Sequence, residues 1–491
     1  MQTQTGHKRW TAFAAAAVAA GAIGCGDLTT DTAPGSSGEP STVETKQGAV
    51  TAAPSRALDP RTRFFTPAPN PGAVQQVVDL AKARKLLDAA RVTALAATPH
   101  AVWFTDGTPA EVKAAVRKTV KAAALLHTVP VLVAYNAPFR DCAQYSAGGA
   151  VDTAAYKAWI DGFAAGIGND QVVVILEPDG LGIIPFNTTI FGSKEWCKPG
   201  ISDANGNPIL DENGEPVPQP GANPAERYAQ INYAIDAIEA KAPSAAVYLD
   251  GTHSSWLGVS EAAYRLVQAG VQRAQGFFVN ASNYQTSHDN VLFGTWVSDC
   301  ITTATGGGAS WAAGHFDWCP GQYDPATHYS TVNFSDAFAG GVNANFAGML
   351  GGHPATTHFV IDTSRNGRGP LDATPFGAAP YNQAAGVVGA LNAGNWCNPP
   401  GTGLGARPTA NTGVPLQDAN LWIKVPGESD GSCDSALGAR AWDFTAYNPW
   451  GVATADQNHF DPLWGMVDPA AGTWFPRQAL ELAQLASPPL G

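Results

Sequence analysis

Acidic side chains recur just after short apolar runs along this chain. The acids in these positions are Asp141, Asp179, Asp250, Asp362, Glu428 and Asp430. One acid in such a position usually caps a helix or accepts a structural hydrogen bond, but acids after five different runs are hard to explain that way. Carboxyl groups that converge in one cleft raise one another's pKa through burial and like-charge repulsion, as acid/base catalysis requires. The pattern predicts a hydrolase that works through carboxyl groups.

The segments that carry these acids alternate between strand and helix. Seven β-prone runs lie at 101–104, 130–135, 172–176, 245–249, 276–281, 358–361 and 421–424. Amphipathic helical stretches lie between them, for example at 109–126, 153–166, 223–241 and 260–271. Strands that are apolar on both faces and alternate with helices indicate an α/β fold with a parallel sheet, here a closed or nearly closed barrel with its active site at the carboxyl ends of the strands. The alternative is a doubly wound open sheet, but its Gly-rich phosphate turn is absent after the first strands.

Composition excludes several functional classes. The net charge of −13 argues against nucleic acid as a partner, because a phosphate-binding face needs clustered Lys and Arg. None of the seven cysteines forms a C-x-x-C pair, so a zinc site is not expected, and six of them suit disulfides in an oxidising compartment. Two Asp-rich turns near Asp203 and Asp211 lack the spacing of a calcium loop, and we interpret them as Asn-Gly turns of a ribbon-like insertion.

The N-terminus has the features of an export signal. Basic residues 7–9 precede an apolar stretch at 10–23, which is too short to span a bilayer comfortably. The stretch ends in Ala-Ile-Gly-Cys25, which resembles a bacterial lipobox, and an ordinary cleaved signal is the alternative. We expect a signal peptide at 1–24, lipid attachment at Cys25, a flexible tether at 25–58 and a catalytic domain at 59–491. The protein is then exported, either secreted or held at the cell surface, and it touches the membrane only through its lipid.

Two long motifs resemble the signatures of glycoside hydrolase family 6. They are VAYNAPFRDCAQYSAGG at 133–149 and VVVILEPDGLG at 172–182, where Gly180 replaces the family's usual Ser, Ala or Leu. Further similar segments follow in family order at 248–258, 276–284, 358–370, 395–405 and 421–431. The resemblance implies a distorted seven-stranded parallel β/α barrel with long loops over the active-site face. It also implies inverting hydrolysis of β-1,4-glucan by a monomer, with no metal or organic cofactor.

The resemblance assigns roles to four residues. Asp179 is the general acid of the Glu-Pro-Asp motif, and it must be protonated near neutral pH to donate to the leaving oxygen. Asp141 raises the pKa of that acid and steadies the transition state; the alternative is an ion pair with Arg140. The base is either Asp430 or, through a chain of water molecules, Asp141. Tyr135 crowds the reacting sugar ring, or else simply packs in the barrel.

The resemblance also implies sugar-binding residues along a cleft. Two tryptophans are expected to stack on glucosyl units, and polar side chains are expected to bind hydroxyl groups. The residues are Trp256, Trp396, Lys424, Glu428, Asp250, His253 and Asn283. For His253, a buried structural role is the alternative.

The family pattern implies two disulfides, and exclusion gives a third. The expected pairs are Cys142–Cys197 and Cys397–Cys433, with Cys300–Cys319 left over. Six cysteines allow 15 pairings, so the prediction is specific.

Three long insertions bear on the mode of action. Segments 183–222, 297–333 and 431–467 are expected to be lids over the cleft. The tryptophans in or beside them are either stacking surfaces for the substrate or anchors that pack the loops on the barrel; they are Trp296, Trp311, Trp318 and Trp442. Lids favour an exo-acting enzyme that releases cellobiose from the non-reducing end. The alternatives are an endoglucanase of the same family and a surface lipoprotein that binds glucan without cleaving it.

Overall fold

Seven short strands pair in parallel in the order in which they occur along the chain. In the computed structural model, which describes residues 58–323 and 332–490, the strands are β1 (Val102–Phe104), β2 (Val131–Ala134), β3 (Val172–Leu176), β4 (Ala245–Asp250), β5 (Gly276–Val279), β6 (His358–Asp362) and β7 (Gln417–Leu421). Each strand pairs with the next, giving the order β1-β2-β3-β4-β5-β6-β7. A doubly wound sheet reverses its strand order, so this consecutive order excludes the alternative. The predicted seven-stranded parallel barrel is confirmed.

The last strand begins earlier than the sequence indicated. The prediction was 421–424, whereas β7 is Gln417–Leu421. Beyond Leu421 the backbone leaves the ladder, because the amides of Ile423 and Lys424 donate to the Asp362 carboxylate at 3.2 and 3.0 Å. The sequence pattern did not indicate β7 because several of its residues are polar. These residues, such as the buried Asp418, find hydrogen-bond partners only in the folded protein.

The sheet curls into a barrel that does not close with a full strand ladder. Within the described part of the chain, β1 and β7 are not paired as strands. The two edges are linked by the Ala101 amide, which donates to the Trp422 carbonyl at 2.9 Å. The Trp103 indole also donates to the Ile423 carbonyl at 2.8 Å. The result is a curled half-barrel with a seam between its first and last strands.

Helices cover the outside of the sheet. They are α1 (Pro71–Lys82), α2 (Leu86–Ala96), α3 (Pro109–Leu125), α4 (Thr153–Ile167), α5 (Pro224–Lys241), α6 (Val259–Gln268), α7 (Ser287–Thr302), α8 (Asp336–Leu350), α9 (Ala385–Ala393) and α10 (Pro476–Gln484). Helix α3 begins at a capping box in which Thr108 and Glu111 satisfy each other's amides. Helix α6 ends earlier than predicted, just before Gly270 turns the chain with a φ of 85°. None of the described helices is long and apolar enough to cross a membrane.

Alternate residues of each strand face two different cores. Val133, Ile175 and Tyr248 point into the barrel, while Leu132 and Val174 pack against the surrounding helices. Both sets are buried, which explains why the strands are apolar runs rather than alternating patterns.

The three predicted disulfides form in the structure. They are Cys142–Cys197, Cys300–Cys319 and Cys397–Cys433. The insertion after β3 contains the predicted ribbon, with antiparallel bridges Ser202–Pro208 and Leu210–Pro216 around its Asn-Gly turns. The predicted signal peptide, the lipid site at Cys25 and nearly all of the tether lie outside the described residues.

Candidate active site

A cleft of about 620 Å³ lies at the carboxyl end of the barrel strands. Most of the residues predicted from the sequence line it, namely Tyr135, Asp141, Asp179, His253, Trp256, Asn283, Trp396, Lys424 and Asp430. They come from segments after β2, β3, β4, β5 and β7 and from the loop before β7. Because parallel strands end at one rim, residues far apart in sequence converge there.

Asp179 lies in a tight loop directly after β3. Its φ is 63° and that of Glu177 is 51°, and the Gly180 amide closes the turn on the Glu177 carbonyl at 2.8 Å. Burial raises the pKa of Asp179 well above its ordinary value, and the negative charges of Asp250, Asp141 and Asp430 raise it further. The raised pKa favours the protonated form of Asp179, which is the form that a proton donor needs.

Asp141 begins a short turn after β2. Its carboxylate accepts a hydrogen bond from the Ser146 amide at 2.6 Å. Burial raises the pKa of Asp141 to about 6, although this hydrogen bond and the nearby Arg140 act in the opposite direction. Arg140 donates instead to the carbonyls of Thr105 and Ser146 at 2.9 and 3.0 Å. The side chains of Arg140 and Asp141, both within the described residues, do not form a salt bridge with each other. The Asp141 carboxylate thus remains available to the cleft.

Asp430 is held by cations and hydrogen-bond donors. One carboxylate oxygen accepts from Arg365 at 2.8 Å and from the Tyr284 hydroxyl at 2.7 Å. Lys424 lies 3.3 Å from the other oxygen. Burial alone would raise the pKa of Asp430, but Arg365 and Lys424 outweigh it and lower the pKa to about 2. Asp430 is therefore a fixed negative charge with little tendency to take up a proton.

Tyr135 both packs in the barrel and faces the cleft. Its ring meets Trp103 edge-on at 5.4 Å, and the Arg140 guanidinium lies 4.5 Å from the ring centre. Trp103 also lines the cleft and was not predicted, although the aromatic residues at the end of the first apolar run were a possible signal.

Trp256 and His253 form one wall of the cleft. Their ring centres are 5.7 Å apart, and Gly182 lies directly beneath the indole. His253 is buried, which lowers its pKa to about 3, and its Nδ1 accepts from the Ser255 amide at 3.2 Å. His253 is thus both a buried histidine and a residue of the cleft, neutral at physiological pH.

Other aromatic rings of the cleft lie next to disulfides. Trp396 precedes Cys397 and lies 6.0 Å from the ring of Tyr145. Trp196 precedes Cys197 and keeps 53% of its surface exposed in the cleft. Tyr145 and Trp196 were not predicted, although adjacency to a predicted disulfide was an available signal for Trp196.

Two predicted sugar-binding residues are not among those that line the cleft. Asp250 lies behind the Asp179 loop, where it accepts hydrogen bonds from the amides of Leu181, Gly182 and Thr252 at 2.9 to 3.1 Å. Glu428 accepts from Asn70 at 2.8 Å. Both carboxylates accept hydrogen bonds that hold loops, and their binding of a sugar stays a prediction.

Glu177 and Arg227 join the loops that carry the acids, and neither was singled out from the sequence. The buried Glu177 carboxylate accepts from the amides of Asn136 and Ala137 at 2.9 to 3.0 Å. Arg227 donates to the carbonyls of Gly180 and Pro138 at 2.8 and 2.7 Å. These contacts fix the loop after β2 against the loop after β3.

The predicted lids contribute little to the cleft. Segment 183–222 supplies Ile183 and Trp196, the described part of 297–333 supplies Val332, and 431–467 supplies no lining residue. Trp296 is fully buried against Phe334, so it is a core residue and not a stacking surface. Trp442 packs in an aromatic cluster with Phe376, Tyr381, Tyr447 and Trp450.

The described residues offer no site for a metal ion, since no three His, Cys, Asp or Glu side chains among them are grouped suitably. The described lining of the cleft consists of carboxyl groups, side-chain amides, serine hydroxyls, aromatic rings, one histidine and one lysine, together with a few apolar residues.

Comparison with known proteins identifies the family. The sequence profile of "Glycosyl hydrolases family 6" matches residues 60–486. The chain is 32% identical over 343 residues to Endoglucanase 1 from Streptomyces sp. (strain KSM-9), covering 70% of this chain and 66% of that one. It is 27% identical over 421 residues to the probable 1,4-beta-D-glucan cellobiohydrolase C of Neosartorya fischeri, covering 81% of this chain and 72% of that one.

A solved structure shares the fold. The endoglucanase Cel6 from Mycobacterium tuberculosis, in complex with methyl-cellobiosyl-4-deoxy-4-thio-beta-D-cellobioside, superposes with a TM-score of 0.53 at 26% identity, covering 88% of this chain and 99% of that one. The chain spans 66%, 52% and 54% of the length of the endoglucanases from Streptomyces sp. KSM-9, Thermobispora bispora and Cellulomonas fimi. With a profile match over nearly the whole described region and a shared barrel, this chain belongs to glycosyl hydrolase family 6.

Proposed function

We propose that this protein hydrolyses β-1,4-glucosidic bonds in cellulose or a similar glucan, with inversion at the anomeric carbon. One observation carries the proposal: Asp179, whose pKa is raised by burial and by the charges of Asp250, Asp141 and Asp430, lies in a cleft whose walls carry Trp256 and Trp396. Aromatic faces suit the apolar faces of sugar rings. The relatives named endoglucanase and cellobiohydrolase act, by their names, on this class of polymer.

In the proposed reaction, Asp179 donates its proton to the leaving glycosidic oxygen while water attacks the opposite face of the sugar. The proton of that water passes through a second water molecule to Asp141. Two pKa values support this route. The pKa of Asp141 is raised to about 6 by burial, so this carboxylate can take up a proton. The pKa of Asp430 is lowered to about 2 because Arg365 and Lys424 outweigh the effect of burial, so this carboxylate is a poor proton acceptor. Asp430 then acts as a fixed charge, and Tyr135 crowds the reacting ring.

We further propose that the enzyme is endo-acting, which the sequence analysis held as the alternative to exo action. The described residues of the predicted lids add only Ile183, Trp196 and Val332 to the cleft, and this small contribution favours an open cleft over an enclosed tunnel. An open cleft admits internal segments of a polymer, whereas a tunnel retains a chain end.

Three measurements test these assignments. Asp179→Asn is expected to lower the turnover of cellohexaose by about 10²–10⁴-fold. Proton NMR of early products should show the α-anomer first, and the β-anomer would exclude inversion. Viscosity of carboxymethylcellulose should fall steeply per reducing end formed. A slow fall with cellobiose as the main product would instead support the exo-acting mode.

We propose that the protein is exported, as the six paired cysteines of its barrel support. Lipid attachment at Cys25 remains part of this proposal. Cys25→Ser should move the protein from the detergent phase to the aqueous phase in phase partitioning, and an unchanged distribution would contradict lipidation.

A further inference from the structure

Two exposed tryptophans lie outside the cleft on a braced loop. Trp311 and Trp318 keep 56% and 49% of their surface exposed. They occupy two short helical turns, Ser310–Ala312 and Phe316–Trp318, and neither lines the cleft. We call this pair the outer tryptophan patch. Large exposed rings are costly to leave in water, so such a patch indicates a binding surface.

The rings are held in place by their neighbours. Cys319, next to Trp318, is bonded to Cys300 of α7. Phe316 packs inward against Tyr264 of α6, with ring centres 5.6 Å apart. A ring whose orientation is fixed before binding loses less conformational entropy when a ligand arrives.

The arrangement of the rings leaves apolar surface facing out. His315 stacks on one face of Trp318 at 3.5 Å and 6°, so the exposed half of Trp318 must come from its other face and its edges. Trp311 lies 6.3 Å away at 31°, too far for face-to-face stacking, so the two indoles lie offset from each other.

The segment that follows the patch contacts one wall of the cleft. The chain that follows Trp318 carries Gln322, whose amide donates to the carbonyls of Ser254 and Leu257 at 3.1 and 3.0 Å. The Tyr323 hydroxyl donates to the carbonyl of Trp256 itself at 3.1 Å. The segment that bears the outer tryptophan patch is therefore fixed to the backbone of the loop that carries Trp256.

The chemistry of the patch suits a neutral polymer. Residues 303–319 contain no Lys or Arg, and Asp317 is their one acidic residue. Asp317 lies 3.6 Å from His315, so the patch offers little charge for an anionic ligand. We propose that the outer tryptophan patch is a second binding site for β-1,4-glucan, outside the catalytic cleft, which retains the enzyme on an insoluble surface. The inference rests on the proposed function.

The experiment compares binding and turnover in the full-length protein. Trp311→Ala/Trp318→Ala should lower partitioning onto microcrystalline cellulose by about five- to tenfold and leave kcat/KM on soluble cellohexaose unchanged. Trp196→Ala is the matched contrast, because that ring is equally exposed but lies in the cleft, and it should impair cellohexaose turnover. Leu210→Ala, exposed on the ribbon, should change neither.

Each result decides something. Unchanged cellulose binding in the double variant, with cellohexaose turnover intact, overturns the second site but not the proposed function. If the double variant loses cellulose binding but the wild type itself never cleaves cellohexaose, the proposed function is overturned and the second binding site is not. If the wild type self-associates in sedimentation velocity and the double variant does not, the patch binds a second copy and the proposal fails.

A second measurement avoids the variants altogether. In the wild type, cellulose should protect Trp311 and Trp318 from oxidation by N-bromosuccinimide, as mapped by mass spectrometry. Oxidation at the same rate with and without cellulose would overturn the proposal even if the double variant does not fold.

Discussion

Two carboxyl groups of the cleft have pKa values shifted in opposite directions because their neighbours differ. Asp179 is buried and surrounded by acids, so its pKa is raised. Asp430 is equally buried, but Arg365 and Lys424 lower its pKa to about 2. Groups of one chemical type are thus separated into a proton donor and a fixed charge by their surroundings. The third group, Asp141, has a pKa raised to about 6 by burial and can change its charge near neutral pH.

The pH dependence of activity follows from these states. A base must be deprotonated, so kcat/KM should fall as the pH drops through the Asp141 pKa of about 6. An acid must be protonated, so kcat/KM should also fall as the pH rises through the raised pKa of Asp179. Profiles on cellohexaose should be bell-shaped, and Asp141→Asn should remove the acidic limb along with most activity. An acidic limb that persists in Asp141→Asn but disappears in Asp430→Asn would make Asp430 the base.

Gly182 makes room for the Trp256 ring, which we propose stacks on the sugar, through its lack of a side chain. A Cβ at this position would lie 2.5 Å from the Cη2 atom of Trp256. Gly182→Ala should displace the indole and raise KM for cellohexaose by about tenfold, or about 1.4 kcal/mol, with a smaller change in kcat. Gly386→Ala is the control, because no atom lies within 4 Å of its added carbon. A KM equal to that of the wild type in Gly182→Ala would show that the ring does not depend on this glycine.

The acids depend on two loops that follow adjacent strands. The loop after β2 carries Asp141, the loop after β3 carries Asp179, and Glu177 and Arg227 tie the loops together. Burial raises the pKa of Glu177, while the amides of Asn136 and Ala137 and the charge of Arg227 act against that rise. The relative position of Asp179 and Asp141 is therefore set by the contacts of Glu177 and Arg227 with the backbone rather than by either acid.

Glu177→Gln should weaken the contacts between the loop after β2 and the loop after β3. The new amide would present N–H groups to the backbone N–H donors of Asn136 and Ala137, so a buried contact is lost at a cost of about 1–3 kcal/mol. We expect a lower kcat and a lower melting temperature, with KM for cellohexaose changing less than kcat. Glu212→Gln on the exposed ribbon should match the wild type. Full activity in Glu177→Gln would contradict a positioning role.

At the scale of the whole molecule, a polar cluster lies at the opposite end of the barrel from the cleft. Asp418 accepts from the Tyr248 hydroxyl at 2.6 Å and pairs with His358 at 2.6 Å, joining β4, β6 and β7 near the start of β6 and β7. The hydrogen bond to Asp418 raises the pKa of His358, although burial opposes it. The cluster links strands beside the open seam to the centre of the sheet.

This cluster should make stability depend on pH. Because the pKa of His358 is raised on folding, its contribution is complete below the unfolded value of about 6.5 and is lost as the pH rises through the folded value. The melting temperature of the wild type should therefore fall over that interval more than that of His358→Gln. Parallel curves for the two proteins would show that the pair contributes no pH-dependent stability.

Local pattern was enough to predict most of the framework. The first six strands are continuous apolar runs, and the structure confirms them because both faces of this sheet are buried. The seventh was misplaced because Gln417 and Asp418 are polar and are buried only through tertiary partners. Trp196 and Trp103 were missed for a related reason. Whether a ring faces the cleft depends on the path of its loop, and the periodicity of the sequence does not show that path.

The sequence by itself determined the family resemblance, the α/β barrel, the cysteine pairs and the acids that end its strands, because each depends on residue type and order. Only the tertiary structure shows which neighbours shift the pKa of each acid and in which direction. The pKa values of Asp179 and Asp430 diverge through burial and through neighbours such as Arg365, which lies 65 positions from Asp430. The tertiary structure also put Asp250 behind the cleft and the predicted lids largely beside it. The reason is that electrostatic energy depends on the distance between charges in space, which cannot be read from their separation along the chain.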